Sequence, residues 1–282
     1  MEYNIFKKLK KDLPGIKKNV ALKNHTTFKI GGPAEYFLIA NNEKILLGAV
    51  KTAQKLKLPV FILGGGSNLL VADKGVKGLV IKIKNKSVKI KNNTIIADAG
   101  IELEKLVNLS INKSLQGLEW AGGLPGTFGG AIRGNAGAFA GEIKDIILEV
   151  RAIDTSFSLR KFSNRQCRFS YRSSIFKERN WTVISAKISL KKGNKKKLKE
   201  IAQSRINYRK ERHPLEYPNA GSIFKNVPFS QFSTSLKKRL LAVVKKDPFE
   251  VVPTAYLISE AGLKGKRIGN VQGAFHARLY AR

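Results

Sequence analysis

The chain is predicted to be an α+β protein, and two observations carry that prediction. Strand-length apolar runs and stretches with helical spacing are mixed without a sustained βαβ alternation, which argues against a doubly wound sheet. The middle of the chain reads mostly as hairpins. Glycine is concentrated in two places, 64–66 and 117–141. A length of 282 residues accommodates one large domain or two to three small ones, with material for a sizeable core.

Taken in order, residues 16–40 read as short strands around a turn: Val20-Ala21-Leu22, then Phe28-Lys29-Ile30, Gly31-Gly32-Pro33 and the apolar run Tyr36 to Ile39. Ile45, Leu46, Ala49, Val50, Ala53 and Leu56 recur at helical spacing over 43–57. Pro59 to Leu63 is a buried strand broken by Gly64-Gly65-Gly66, so the segment reads β–α–β with a glycine turn at its end. Gly78 to Ile83 is a further strand, followed by a hairpin of 87–91 and 94–97 turning at Asn92-Asn93. Leu103, Leu106, Val107 and Ile111 make 102–113 a helix. Strand-like runs follow at 144–153, 156–162 and 181–190. The basic segment 195–212, with Leu198, Ile201, Ile206 and Tyr208 among lysines and arginines, reads as a linker-like helix between two units. Beyond it come a Pro/Asn/Gly turn, a strand at 222–226, and helices near 229–245 and 253–261.

Composition excludes several classes. Hydrophobic residues at 43% and charged residues at 26% are globular proportions, not those of a disordered chain. No apolar run approaches the ~18–20 residues that cross a bilayer, so membrane insertion is not expected. Met1 to Lys11 carries charge without a following apolar core, so it is not a secretory signal, and a cytoplasmic protein is expected. Cys167 stands alone, which rules out an internal disulfide and a cysteine-built metal site; it reads as a small buried residue. His25, His213 and His276 are scattered without a carboxylate pair and read as structural; no metal is expected. The unusual quantity is charge, 53 basic against 20 acidic residues for a net of +33. Such a field favours anionic partners, or it reflects lysines accumulated on solvated faces; both readings stay open. Without regular aromatic interleaving or a helix-turn-helix or zinc-finger signature, no specific nucleic-acid partner is expected.

The glycine clusters carry more. Gly64-Gly65-Gly66-Ser67-Asn68 follows a strand as a phosphate cradle would: glycine lets backbone N–H groups approach phosphate oxygens, and Ser67 and Asn68 add donors. The spacing fits neither a Walker loop nor G-x-G-x-x-G, and a plain tight turn remains the alternative. The second cluster holds Gly122-Gly123-Leu124-Pro125-Gly126-Thr127, Gly129-Gly130 and Gly134-Asn135-Ala136-Gly137. Glycine loses more chain entropy on ordering than any other residue, so a dense run points to close backbone approach. A flat ring system with a pyrophosphate fits both clusters; a long glycine-rich connection between domains is the other reading.

At these residues the chain resembles the UDP-N-acetylenolpyruvoylglucosamine reductase family, flavoenzymes of the second step of peptidoglycan precursor synthesis. The matching motifs, in order, are NHTTFKIGGPA from Asn24, LGGGSNLL from Leu63, GLPGTFGGAIRGNAGAFAGE from Gly123, CRFSYRSSIFK from Cys167, NAGSIFKN from Asn219, and Ala261 to Gly265 with Arg267-Ile268-Gly269. The resemblance implies a two-subdomain FAD-binding unit of the vanillyl-alcohol-oxidase/PCMH type and a smaller α+β substrate-binding domain. The expected division is 1–84, 85–200 and 201–282. It implies FAD and NADPH as cofactors, a UDP-sugar as substrate, a monomer, and hydride transfer to an enolpyruvyl group giving UDP-N-acetylmuramate. Carried over residue by residue, the cofactor is expected at Thr27, Gly64, Gly65, Gly66, Ser67, Asn68, Gly122, Gly123, Gly126, Thr127, Gly130, Asn135, Ala136 and Gly137. Tyr171, Lys225 and Asn226 are expected at the substrate. Arg172 matches the arginine that grips the substrate carboxylate, a task suited to a permanently charged fork. Ser222 matches the serine that protonates the enolate, for which a hydroxyl needs neighbouring donors or a cation. Lys210 and Arg212 are weaker candidates for a diphosphate.

Two departures from the family pattern accompany the resemblance. The run 181–190 passes through Gly193 almost directly into the basic segment, leaving no room for the tyrosine-bearing loop of one branch, so the chain resembles the shorter branch. Nothing after His276-Ala277 matches the family's closing segment, whose glutamate is transferred to no residue; Glu260 is a poor substitute. A truncated copy is the expectation from that pattern. Three readings follow: an active reductase, a flavin-binding remnant with little turnover, or a binder of nucleic acid and anionic surfaces.

Overall fold

The computed structural model describes residues 2–247, 249–273 and 278–281, and the α+β class holds. The first sheet orders its strands Lys17–Ala21, Pro33–Ala40, Val76–Ile83, Val60–Leu63. Pro33–Ala40 and Val60–Leu63 both run parallel to Val76–Ile83 between them, so the expected β–α–β unit crosses over a strand supplied later in the chain. The helix of that unit is Glu43–Lys55. Asn42 Oδ1 accepts from the Ile45 N–H at 2.9 Å, and Glu43 and Lys55 sit at the ends that suit the helix dipole. Leu46, Ala49, Val50 and Ala53 form its buried face. Phe28-Lys29-Ile30, expected as a strand, is a turn. Lys29 takes φ +53°, which breaks an extended run, while Phe28 is still buried.

Five antiparallel strands make the second sheet, in the order Leu159–Ser163, Ile147–Ile153, Thr182–Ser189, Thr94–Asp98, Val88–Lys91. Its hairpin turns at Asn92, with φ +53°, where the sequence expects it. Leu38, Leu79 and Ile81 from the first sheet share one core with Ile95, Ile153 and Ile184 from the second. Leu106 of the helix Leu103–Asn112 joins them. On the opposite face of the first sheet, Leu22, Phe37, Leu63 and Val80 make a smaller cluster. Arg151 clamps the two lobes with bonds of 2.9 and 2.7 Å to Glu43; a pair this exposed contributes about 1 kcal/mol or less.

The segment 117–141 is more regular than its composition suggests. It contains a short 3-10 turn at Glu119–Ala121 and a helix at Phe128–Arg133, capped by Thr127. It ends in a small hairpin of Gly137–Ala138 with Gly141–Glu142. The basic helix Lys195–Arg212 is not a free linker. Leu198, Ala202 and Arg209 are buried, and a Cβ on Gly122 would sit 2.5 Å from the Ala202 carbonyl oxygen. The forecast boundary at 200/201 falls inside this helix.

In the last part, Asn219–Ser222, Arg278–Ala281, Val271–Gly273 and Arg267–Ile268 form a four-stranded sheet, with helices Thr234–Leu240 and Thr254–Glu260 nearby in sequence. The strand expected at 222–226 is therefore displaced: it ends at Ser222. Residues 225 and 226 bond to Thr254 instead of a ladder, through the Thr254 N–H to Asn226 Oδ1 at 3.2 Å and the Thr254 hydroxyl to the Lys225 carbonyl. His276 lies outside the described residues.

Cys167 has no exposed surface, and burial pushes its thiol up to about 12. At pH 8 in the native state it should not react with a thiol reagent, and it should react fully in denaturant; a disulfide-exchange dye reads both.

Candidate active site

The two glycine clusters, far apart in sequence, meet. A Cβ on Gly65 would sit 2.8 Å from Gly126 Cα, and one on Gly64 would sit 2.6 Å from Thr127 Oγ1. Ser67 Oγ donates to the Pro125 carbonyl at 3.4 Å. Gly66 takes φ +69° with its α-carbon against the His25 carbonyl, a position open to glycine alone. Thr27 ties this loop to the last part of the chain: its N–H donates to Gly66 O at 3.1 Å and its Oγ1 to Asn219 O at 2.7 Å. Among the described residues, no oxygen accepts from the backbone N–H groups of Gly65, Gly66, Ser67 and Asn68, nor from those of Gly123, Gly126 and Thr127. Facing loops with free N–H groups form an anion-binding concavity. His25 supports the first loop: its ring stacks on Phe37 at 4.5 Å, and burial, then Lys82 and Lys84, push its pKa down. Its structural reading therefore has a physical basis.

The other glycines expected at the cofactor serve packing as well. Gly122 and Gly123 lie against the basic helix, beside Ala202, Ile206 and Arg209. Gly130 lies in the helix that Thr127 caps. Asn135 is fully buried at φ +40°. Its amide donates to Ser170 O at 3.1 Å and Glu142 Oε2 at 3.3 Å and accepts from the Lys144 N–H at 3.0 Å. Its side chain is thus a bracket joining the second loop to the hairpin Ser170–Ser173. Ala136 continues the bracket by accepting from the Ile143 N–H at 2.9 Å.

That hairpin presents Tyr171 and Arg172 at its tip, closed by reciprocal bonds of 3.1 Å between Ser170 and Ser173. Arg172 takes φ +57°, a left-handed conformation uncommon outside glycine, and its Nη2 donates to Gly137 O at 2.8 Å. The three expected substrate residues gather here. The Asn226 N–H donates to Tyr171 Oη at 3.3 Å, and Lys225 Nζ reaches Tyr171 O at 3.5 Å. Ser222 is not brought to them by any hydrogen bond among the described residues. It is exposed and ends a strand whose Gly221 lies against the Gly64–Asn68 loop.

Two residues in the quoted motifs had no role assigned from sequence. Lys177 donates to the Arg172 carbonyl at 3.0 Å, which pins the left-handed tip; burial, then Lys225 and Arg133, push its pKa down. Arg133 closes the cluster, half-buried, bonded to Asn180 Oδ1 at 3.2 Å. The signal for both was their place inside matched motifs, but chemical type alone did not separate them from solvated cations. His213 packs edge-on near Tyr208, with ring centres 6.5 Å apart. No helix among the described residues is long and apolar enough to cross a membrane.

This architecture defines an FAD-binding flavoprotein with a two-lobed cofactor unit and a further α+β part. Residues 34–162 match the model of an FAD binding domain. A solved Phl p 4 variant described as a glucose oxidase covers 68% of the chain at TM-score 0.54 and 12% identity, a likeness of fold alone. Residues 213–277 match the C-terminal domain of UDP-N-acetylenolpyruvoylglucosamine reductase. The reductase of Caldanaerobacter subterraneus subsp. tengcongensis is 38% identical over 255 residues, spanning 90% of this chain and 77% of that protein. That of Streptococcus thermophilus is 36% identical over 276 residues, spanning 96% and 83%. The crystal structure of the Thermus caldophilus enzyme superposes with TM-score 0.74 at 27% identity, over 94% of this chain and 88% of that one. The chain belongs to the UDP-N-acetylenolpyruvoylglucosamine reductase family, FAD-dependent oxidoreductases of peptidoglycan synthesis. The free N–H groups on its two facing loops fit the diphosphate of that cofactor.

Proposed function

We propose that the chain reduces the enolpyruvyl group of UDP-N-acetylglucosamine enolpyruvate to UDP-N-acetylmuramate, in the cytoplasm. One observation carries the reading: the anion-binding concavity of the two glycine loops lies in the same fold as a cationic cluster around Arg172, with Gly137 linking the second loop to that arginine. Residues 1–84 and 85–200 hold the cofactor and 201–282 completes the substrate site, with the helix Lys195–Arg212 running across the second boundary.

Bound FAD supplies the hydride, replenished by NADPH. The chain's own residues do the rest. Hydride arriving at the terminal carbon of the enolpyruvyl double bond leaves negative charge shared between the neighbouring carbon and the carboxylate. Arg172 grips that carboxylate with two parallel N–H bonds, and the charge that develops there is what it stabilises. Ser222 gives its hydroxyl proton to the neighbouring carbon, completing addition of one hydride and one proton, and recovers a proton from solvent. Tyr171, Lys225 and Asn226 orient the sugar nucleotide. Lys177 holds Arg172 in its left-handed conformation.

The test is one purification: record the visible spectrum, then follow NADPH oxidation with and without the enolpyruvyl sugar. A flavin spectrum with substrate-dependent oxidation is expected. Bound flavin without it would leave a flavin-binding protein lacking turnover, and a colourless protein that stays so with excess FAD would end the reading. Arg172→Lys keeps the charge and loses the fork; kcat/KM should fall roughly tenfold to a hundredfold in steady-state assay while the flavin spectrum is unchanged.

A further inference from the structure

The last part of the chain meets the two cofactor lobes without a shared core. Neither hydrophobic cluster includes a residue beyond Ala202 among the described residues. Two of the contacts that join them come from one turn. Lys245 and Val251 exchange backbone bonds of 2.9 and 2.8 Å. Val251 and Val252, both fully buried, pair with Val227 and Pro228, which directly follow Lys225 and Asn226. The turn so closed carries Asp247 and Phe249. Asp247 Oδ2 accepts from the Ala140 N–H at 2.9 Å, and the Phe249 and Tyr171 rings pack edge-to-face, 5.2 Å apart at 87°. Phe249 stays 39% exposed, so burial in a core does not explain its place; what it meets is Tyr171.

Those contacts land on the two hairpins that set the Arg172 guanidinium. Ala140 lies in the hairpin of Gly137–Ala138 with Gly141–Glu142, and Gly137 O accepts from Arg172 Nη2 at 2.8 Å. Tyr171 precedes Arg172 at the other tip, and the guanidinium carbon lies 5.1 Å from its ring centre. Phe139, Ala140 and Arg172 all take positive φ. Such conformations persist in non-glycine residues only where the surroundings over-determine them. Lys177 and the Ser170–Ser173 bonds supply part of that hold on one hairpin, and Asp247 and Phe249 reach both.

We propose that Asp247 and Phe249 are positioning residues of the reductase site, which from one turn brace both hairpins that aim Arg172 at the substrate carboxylate. The role rests on the reading under Proposed function and deepens it. A fork that meets a carboxylate through two parallel bonds tolerates little rotation, so bracing it from both sides acts on the rate. The strands behind the turn follow directly on Lys225 and Asn226, so the residues that orient the sugar nucleotide and the brace on the arginine belong to one unit.

The test uses the full chain. Asp247→Ala/Phe249→Ala removes both braces, and because both side chains are exposed the fold and the flavin spectrum should be kept. Steady-state kcat/KM for the enolpyruvyl sugar should fall roughly fivefold to tenfold, the value of one exposed hydrogen bond and one aromatic pair together. The same two substitutions placed on Tyr171→Leu/Arg172→Lys, whose tip has lost ring and fork, should cost less than about twofold, because nothing is left to aim. Phe249→Tyr, with Asp247 kept, retains the ring and should match the parent within about twofold. An equal loss in both backgrounds, or loss of the flavin spectrum, would make the turn a support of the fold and overturn the role. Unchanged kcat/KM would overturn it as well, with the parent's turnover still standing. A parent without substrate-dependent turnover overturns the underlying reading and this role with it.

Discussion

Ser222→Ala is expected to yield a yellow protein that accepts hydride from NADPH at the parental rate and forms almost no product. Removing a positioned proton donor costs roughly a hundredfold to ten-thousandfold in rate. The substitution is otherwise mild. Ser222 is exposed at the end of a strand, so losing one oxygen opens no cavity, and stability should stay within about 0.5 kcal/mol of the parent. Rapid mixing separates the two halves of the reaction. Flavin bleaching by NADPH reports the first, and its recovery on adding the enolpyruvyl sugar reports the second. The loss should fall wholly on recovery. If colour disappears along with product, the strand Asn219–Ser222 serves the cofactor through its bond to Thr27, and the role given to Ser222 is wrong. If recovery is unaffected, the proton comes from elsewhere, and the cationic cluster near Lys225 becomes the place to look.

How much of this was readable beforehand depends on the range of the interaction involved. The helix Glu43–Lys55 and the hairpin at Asn92 were legible because their signals are local: an apolar period, and a turn residue tolerant of left-handed backbone. Phe28-Lys29-Ile30 was misread because Lys29 turns left-handed with its N–H bonded locally to the Thr26 carbonyl, and the strand at 222–226 because bonds from outside the segment decide it. Thr254 claims Lys225 and Asn226, and no pattern within 222–226 announces that. The site divides the same way. Gly66 and Gly126 were singled out as glycines, but that their loops touch is a fact of tertiary structure. Part of the second cluster was glycine-rich for another reason, since Gly122 and Gly123 admit the basic helix. Arg209 looked like one more cation in a crowded segment, and only burial distinguishes it from Lys210 beside it. Lys177 was hidden likewise: its bond to the Arg172 carbonyl exists because a hairpin tip folds back over a short helix.

Gly65→Val should abolish flavin retention in a protein that still folds. Gly65 is exposed and is not among the positive-φ glycines, so the backbone accepts a side chain and the effect isolates sterics. The obstacle is the other loop. The new Cβ would lie 2.8 Å from Gly126 Cα and 3.2 Å from its carbonyl carbon, both backbone atoms that cannot rotate away. Valine's two methyl groups enlarge the clash, so the loops separate, and the N–H groups of the two loops can no longer reach one diphosphate together. Hydrogen bonds to a charged group contribute about 1.5–3 kcal/mol each, so losing two weakens FAD by roughly a hundredfold to ten-thousandfold. Equilibrium titration of the flavin-free protein measures this. Gly48→Ala, half-buried in the helix Glu43–Lys55 with nothing within 4 Å of the new Cβ, is the control. It should stabilise the fold by about 0.5–1 kcal/mol and leave FAD affinity unchanged. A Gly65→Val protein with parental FAD affinity would reduce Gly64-Gly65-Gly66 to an ordinary tight turn. The anion-binding concavity would then have to be built from the second loop alone.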